Sequence, residues 1–417
     1  MTTYRQVLAE PRFRLLFATR SLAIAADTLR ILALSVLVFA VTGSPLLGAI
    51  TYGIGFLPQV VGVAIFGALA DRIRPRRLIV AGYALEAATA AALALAHLPV
   101  WASLLLVAVV AGLTPVFGGA SARVVAEVLT GDAYVLGRSL SSMSSSAAQL
   151  LGLAGGGLAV GMLGARHALL VSAACHLVAA AAVRLRLPDL DVPAARPARS
   201  AFRQSLTGNR LLLRDPEVRL LMLAQWLPPA FVAGAESLII AYASSRGFPA
   251  ASAGLLLACL PVGMLAGDLV VGRFLRPATR ERLVVPLVGV LGVPLLAIAA
   301  DPPLAVTAAL LAVTGTGFAY GLGIQRRFLD AVPEERRGQA FGLLSSGLMT
   351  LQGVGPAVFG ALAEVTPIRY AVALAGAATV VTAVLLHDRG DFSGSWRGKV
   401  SMIRRRVSES PPWTSRL

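Results

Sequence analysis

The chain is written as long apolar runs separated by short polar punctuation. A helix crossing a hydrocarbon core of ~30 Å needs about 20 predominantly apolar residues. Twelve segments reach that length: 15–40, 46–70, 78–97, 100–123, 138–163 and 167–186, then 218–243, 251–273, 282–300, 303–325, 338–364 and 367–387. Gly- and Pro-bearing turn signals divide them, among them Gly43-Ser44-Pro45, Leu98-Pro99, Gly247-Phe248-Pro249 and Asp301-Pro302-Pro303. The first run is interrupted by Arg20, Asp27 and Arg30. The apolar region of a cleaved signal is short and uncharged, so this run reads as a retained first span. The pattern predicts an all-α membrane protein with twelve transmembrane helices.

The pattern also repeats. Glu10-Pro11-Arg12-Phe13-Arg14-Leu15-Leu16 returns as Asp215-Pro216-Glu217-Val218-Arg219-Leu220-Leu221, 205 positions later. At a spacing of 203, Leu57-Pro58 pairs with Leu260-Pro261, and Gly118, Arg123, Gln149, Gly152 and Gly157 pair with Gly321, Arg326, Gln352, Gly355 and Gly360. A near-constant spacing predicts two pseudo-symmetric six-helix bundles, 1–187 and 213–390, joined by a Pro- and Arg-bearing linker at 188–212. Residues 391–417 form a basic tail whose Arg404-Arg405-Arg406 suits anionic membrane lipid. Parallel repeats of this kind are a recurring transporter plan, with substrate held between the halves at mid-membrane.

Charge placement adds orientation. Arg72, Arg74, Arg76 and Arg77 follow segment 2, and further arginines follow segments 6, 8 and 10. The alternate connections carry only Arg166, Arg246 and Arg369. The positive-inside rule then places both termini in the cytoplasm. Charged residues make up 14% of the chain, against about 25% in soluble domains, so the composition fits lipid as solvent. The net charge of +16 sits between apolar runs without interleaved aromatics, which argues against nucleic acid as a partner. Lys399 is the only lysine, and together with abundant Ala, Gly and Val this points to a GC-rich bacterium and its inner membrane. The expected state is a monomer.

Several chemistries are not expected. Cys175 and Cys259 lie in separate apolar runs, and the histidines His97, His167, His176 and His387 lack metal-ligand spacing. No phosphate-binding loop and no clustered nucleophile and base are evident, so neither a cofactor, nor a metal, nor an enzymatic activity is expected.

Charge within a span costs about 2.5–3.5 kcal/mol on insertion scales and calls for a reason. Asp27 lies near mid-membrane with Arg30 at i+3 on the same face. The pair suits proton and substrate coupling; a static ion pair that makes the helix tolerable is the alternative. Glu86 and Glu236 are candidates for a second titrating group. Gln149 and Gln352, equivalent by repeat, suit hydrogen bonds to substrate or between helices. Pro228-Pro229 predicts a local break in segment 7.

The connection after segment 2 reads Gly67-Ala68-Leu69-Ala70-Asp71-Arg72-Ile73-Arg74-Pro75-Arg76-Arg77. It resembles the G-x-L-a-D-R-x-G-R-R signature of the major facilitator superfamily, with Arg74-Pro75 in place of Gly-Arg. The resemblance implies that fold, and a gating loop in which Gly67, Asp71, Arg72, Arg76 and Arg77 take part. It implies that Asp71 sits at the start of segment 11 near Gly338-Gln339, and that a loop arginine faces Glu127. Gln149 to Gly157 and Gln352 to Gly360 resemble the G-P-x-x-G-G element of drug:proton antiporters, with Leu153 and Phe359 as departures. The stretch from Arg123 through Leu187 is similar to the enterobactin-exporter and macrolide-efflux branch. The resemblance therefore implies secondary transport of a small molecule, with export by proton antiport as the expected direction. An importing symporter or uniporter, or a non-transporting sensor of the same fold, remain open.

Overall fold

A computed structural model describes residues 4–66, 73–130, 132–189, 209–333 and 336–389. It places helices at all twelve apolar segments. These are α1 (Pro11–Thr42), α2 (Pro45–Gly53 continuing as Leu57–Phe66), α3 (Pro75–Leu95), α4 (Val100–Val128), α5 (Asp132–Leu163) and α6 (Ala165–Arg186). The second set is α7 (Pro216–Ser245, interrupted once), α8 (Ala250–Phe274), α9 (Val284–Ala300), α10 (Leu304–Ala331), α11 (Arg337–Val365) and α12 (Ile368–Arg389). Eleven are long and apolar enough to cross a membrane, and α9 is a shorter apolar twelfth. No strand occurs among the described residues.

Local chemistry sets the helix starts. Proline opens α1, α2, α3 and α7, where its missing N–H removes a donor that has no intrahelical partner anyway. Ser44 caps α2 by accepting from Leu47 N–H at 3.1 Å, and Asp215 caps α7 by accepting from Glu217 and Val218 N–H. Gly43 ends α1 at φ +66°, and its N–H returns to Phe39 O at 2.8 Å. Large apolar side chains such as Val61, Val63, Leu105, Val109, Val381 and Val384 face outward, as expected where the solvent is lipid.

The packing repeats with the sequence. In the first half α1 packs on α5 and α6, α2 on α4, and α3 on α4 and α6. In the second, α7 packs on α11 and α12, α8 on α10, and α9 on α10 and α12. The repeat extends to individual close approaches. A Cβ on Gly152 would meet Ala25 O of α1 at 2.6 Å, and one on Gly355 would meet Ala230 O of α7 at 2.2 Å. Ala25 and Ala230 are 205 apart in sequence. The fold is thus two pseudo-symmetric six-helix bundles, joined by α2 against α11 and α5 against α8.

Three differences from the sequence pattern have physical causes. α1, α4 and α10 run several residues past the apolar spans toward the end of the bundle that holds the termini. Apolarity marks the hydrocarbon core, whereas backbone hydrogen bonding continues into the interface. Residues 209–212, grouped with the linker, are helical. Pro228 and Pro229 do not break α7: the helix runs unbroken from Pro216 to Ser237 and is interrupted at Leu238. Both prolines are buried, so neighbouring protein rather than lipid surrounds the carbonyls that lose their N–H partners. Linker residues 190–208 and tail residues 391–417 lie outside the described residues.

Candidate functional site

The charges of α1 meet partners from two other helices. Arg30 Nη2 lies 3.0 Å from Asp27 Oδ1 and 2.9 Å from Glu86 Oε2 of α3. Asp27 Oδ1 also lies 3.3 Å from Nε2 of His176 on α6. Thr114 of α4 donates to Glu86 Oε1 at 3.3 Å, and Ser172 donates to Ala26 O at 2.8 Å, tying α6 to α1. Arg30, Glu86 and His176 side chains are 8%, 7% and 0% exposed, whereas Asp27 keeps 27%. Asp27 is therefore the member through which the cluster meets its surroundings.

The histidine fixes where a proton must sit. Nδ1 of His176 is 2.9 Å from the Ser172 carbonyl, which only accepts, so Nδ1 carries hydrogen and donates. In neutral imidazole Nε2 then presents a lone pair to the Asp27 carboxylate, two acceptors face to face. The contact becomes a hydrogen bond only when one proton lies between Nε2 and Oδ1. The same proton balances the charge. One guanidinium against two carboxylates leaves one negative charge, and a single proton brings the four side chains to neutrality.

The count also ranks substitutions. Arg30→Gln leaves two buried carboxylates without their cation, and breaking a buried pair this way costs about 3–5 kcal/mol. Arg30→Gln is expected to lower the thermal midpoint of the purified protein strongly. Adding Glu86→Gln to it is expected to restore part of the loss. Unchanged melting of the single variant in detergent would show that Arg30 does not hold the cluster together.

A second set of groups joins the halves. The Glu236 carboxyl of α7 and the Tyr52 hydroxyl of α2 are neighbours across the junction. Glu364, near the end of α11, accepts from Leu46 N at 3.0 Å and from the Ser44 hydroxyl. It thereby caps the N-terminus of α2 from the opposite half, where the helix dipole favours a carboxylate. The glycine contacts are tighter still. A Cβ on Gly254 of α8 would sit 2.0 Å from Gly157 Cα of α5, and one on Gly360 of α11 would sit 2.9 Å from Ala49 Cβ of α2. Gly157 and Gly360 are repeat equivalents. Residues 46, 49, 157, 254, 360 and 364 all lie near the bundle end opposite the termini, so the halves are closed on each other there.

Any state that opens this end must part Glu364 from α2. A charge–dipole contact contributes about 1 kcal/mol, so Glu364→Ala is expected to shift the open-to-closed ratio roughly fivefold toward open. Distance distributions between spin labels on the adjoining ends of α2 and α11 report the shift. An unchanged distribution would remove Glu364 from the closure.

The remaining sequence candidates are placed as follows. Gln149 is exposed and Gln352 half-buried, and among the described residues neither bonds to a neighbouring helix. Glu127 lies 3.7 Å from Arg123 of its own helix. Arg76 donates to the Arg184 carbonyl at the end of α6 at 2.5 Å, and Arg77 lines a groove beside it. Gly67, Asp71 and Arg72 lie outside the described residues, so the approach of Asp71 to Gly338-Gln339 does too. Three groups were missed from sequence. His176 has no metal-ligand spacing, and its one sequence signal is a polar ring deep in an apolar span. Tyr52 and Glu364 are ordinary residues near helix ends until the opposite half is placed beside them.

Comparisons with known proteins agree with this architecture. The family model described as Major Facilitator Superfamily matches residues 16–328. Among solved structures, the nucleoside transporter NupG superposes with a TM-score of 0.71 at 15% identity, covering 90% of this chain and 98% of that one. A bacterial homologue of the human lysosomal transporter Spinster, inward-facing and unoccupied, gives 0.64 at 15% identity, covering 92% and 96%. A bacterial homologue of the iron transporter ferroportin, inward-facing, gives 0.68 at 14% identity, covering 94% and 100%. No curated protein matches the chain.

Proposed function

The chain belongs to the Major Facilitator Superfamily, and on that premise we propose that it is a proton-coupled secondary transporter exporting a small molecule. The observation that carries the coupling is the Nε2–Oδ1 contact between His176 and Asp27, which needs one proton to become attractive. Protonation changes the cluster from net negative to neutral, and α1, α3, α4 and α6 all contribute to it. Arg30, Asp27, Glu86 and His176 are therefore the proton-handling residues, with Glu236 at the junction of the halves. Coupling in this scheme comes from competition for Asp27: a solute that hydrogen-bonds its exposed edge draws the carboxylate away from Arg30 and His176, and the proton held in the Nε2–Oδ1 contact is released.

Alternating access supplies the rest. The halves part at one end and close at the other, rocking about the midline, and the glycine contacts of α5 with α8 and α2 with α11 seal the end that is closed. The positive-inside orientation makes the closed end the outer one, which supports reading this arrangement as an inward-facing state. Export is supported by the resemblance of Gln149–Gly157 and Gln352–Gly360 to the antiporter element. The fold itself hosts both directions.

The test is transport by the purified protein in liposomes under a pH gradient of either polarity, with protein-free liposomes as control and a panel of drug-like, siderophore-like and secondary-metabolite solutes. Antiport accumulates solute on the acidic side. Accumulation on the alkaline side would show symport instead, and gradient-independent equilibration would show a uniporter.

A further inference from the structure

On the outer face of the first half, at the end that holds the termini, a groove of about 370 Å³ runs between α1 and α6. That is within the range of about 300–1,000 Å³ typical of small-molecule sites. Its floor is apolar, formed by Leu15, Leu22 and Val178 with small residues between them. Its mouth is basic: Arg12 and Arg14 from α1, and Arg186 from the last turn of α6. Arg12 and Arg186 are exposed, and among the described residues no acid pairs with either. Arg14 spends one donor on the Leu8 carbonyl at 3.3 Å and keeps the others.

Depth matches polarity. α1 has 32 residues, about 48 Å at 1.5 Å per residue, whereas the hydrocarbon core takes about 20 residues. Arg12 and Arg14 fall in the first turn, at headgroup level, while Leu15 and Leu22 lie in the direction of the acyl chains. A neighbouring groove between α3 and α6, about 440 Å³, also carries arginines, Arg76, Arg77 and Arg184. That one contains Asp189, whose carboxylate lies 2.7 Å from Arg74, so its charge is partly answered from within. The α1–α6 groove has no acid among its lining residues.

We propose that the α1–α6 groove is a binding site for one anionic phospholipid, its phosphate held by Arg12, Arg14 and Arg186 and one acyl chain laid along Leu15, Leu22 and Val178. The ligand is defined by its two ends together: a phosphate that requires the arginines and a chain that requires the apolar floor. The site is separate from the proton cluster, and it stands or falls independently of the transport reading. A lipid there links α1, which carries Asp27 and Arg30, to α6, which carries His176.

The experiment measures the thermal midpoint of the full chain in detergent, titrated with phosphatidylglycerol or with phosphatidylcholine of the same chains, and counts bound lipids by native mass spectrometry. Expected are a rise in midpoint and a retained lipid with phosphatidylglycerol alone. Arg12→Gln with Arg186→Gln should weaken the retained binding at least about tenfold, the size of a charge-assisted contact worth 1.4 kcal/mol or more. Arg219→Gln, an exposed arginine at the equivalent place in the second half, should leave it unchanged. Ala18→Phe fills the groove without altering charge and should also abolish retention. Equal effects of the two lipids, retention that survives Ala18→Phe, or an equal rise with soluble glycerol phosphate would overturn the proposal. Each of these outcomes can be read while transport is left unmeasured.

Discussion

Asp27→Asn is expected to abolish proton-driven accumulation while leaving the protein folded and able to exchange solute. A gradient of one pH unit is worth 1.36 kcal/mol, so one-for-one antiport accumulates solute about tenfold at equilibrium. The variant is expected to reach a ratio of about one. Folding survives because Arg30 and Glu86 then balance one another, and the new side-chain amide can donate to Nε2 of His176 without any proton from solvent. The variant is thus fixed in the charge pattern of the protonated state. Counterflow of radiolabelled solute with no gradient should persist, and gradient-driven uptake should not. If Asp27→Asn still accumulates solute tenfold per pH unit, the proton is carried elsewhere, and Glu236 is the next group to replace.

How much of this was legible beforehand differs between fold and site. Span count and repeat could be read directly, because lipid admits only long apolar helices, and a duplicated bundle leaves its spacing in the chain. The equivalence of Gln149–Gly157 with Gln352–Gly360 was legible too, but not that Gly157 and Gly360 touch the opposite half while Gly152 and Gly355 pack within their own. The Asp27–Arg30 pair was legible because i and i+3 share a helix face. Its partners were not, since sequence does not say which helices are neighbours. One clue was available. Counted from the helix ends opposite the termini at 1.5 Å per residue, Asp27, Arg30, His176 and Glu86 lie about 22, 18, 16 and 14 Å deep. Polar residues at similar depth in a membrane protein tend to find each other, because the alternative is hydrocarbon. Depth, not metal spacing, is the signal that links His176 to the cluster. The break at Leu238 in place of Pro228-Pro229 had no such clue. Pro removes a donor, but whether the helix parts there depends on what surrounds the freed carbonyls.

Gly254→Val is expected to prevent closure of the end opposite the termini and to stop the transport cycle. A Cβ on Gly254 would sit 2.0 Å from Gly157 Cα and 2.8 Å from Gly157 N, so the obstacle is the backbone of α5 and has no rotamer to escape into. The reciprocal Cβ on Gly157 meets Gly254 Cα at 2.4 Å. Two helices so close must separate by more than an ångström to admit even alanine, and valine asks for more. Each bundle is otherwise undisturbed, because Gly254 faces the partner half and not its own helices. The variant should therefore fold as a transporter held open at one end. Cysteine probes on α5 and α8 beside the contact should gain reactivity toward a membrane-impermeant thiol reagent added on that side. Substrate binding should persist, and transport should fall to the protein-free level. Gly155→Val is the control: a Cβ there meets nothing within 4 Å, although it lies only two residues from Gly157. Normal transport by Gly254→Val would mean that α5 and α8 need not approach this closely at any stage of the cycle. The glycine repeat would then record helix packing alone, and the closure seen here would have to depend on the α2–α11 contacts with Glu364.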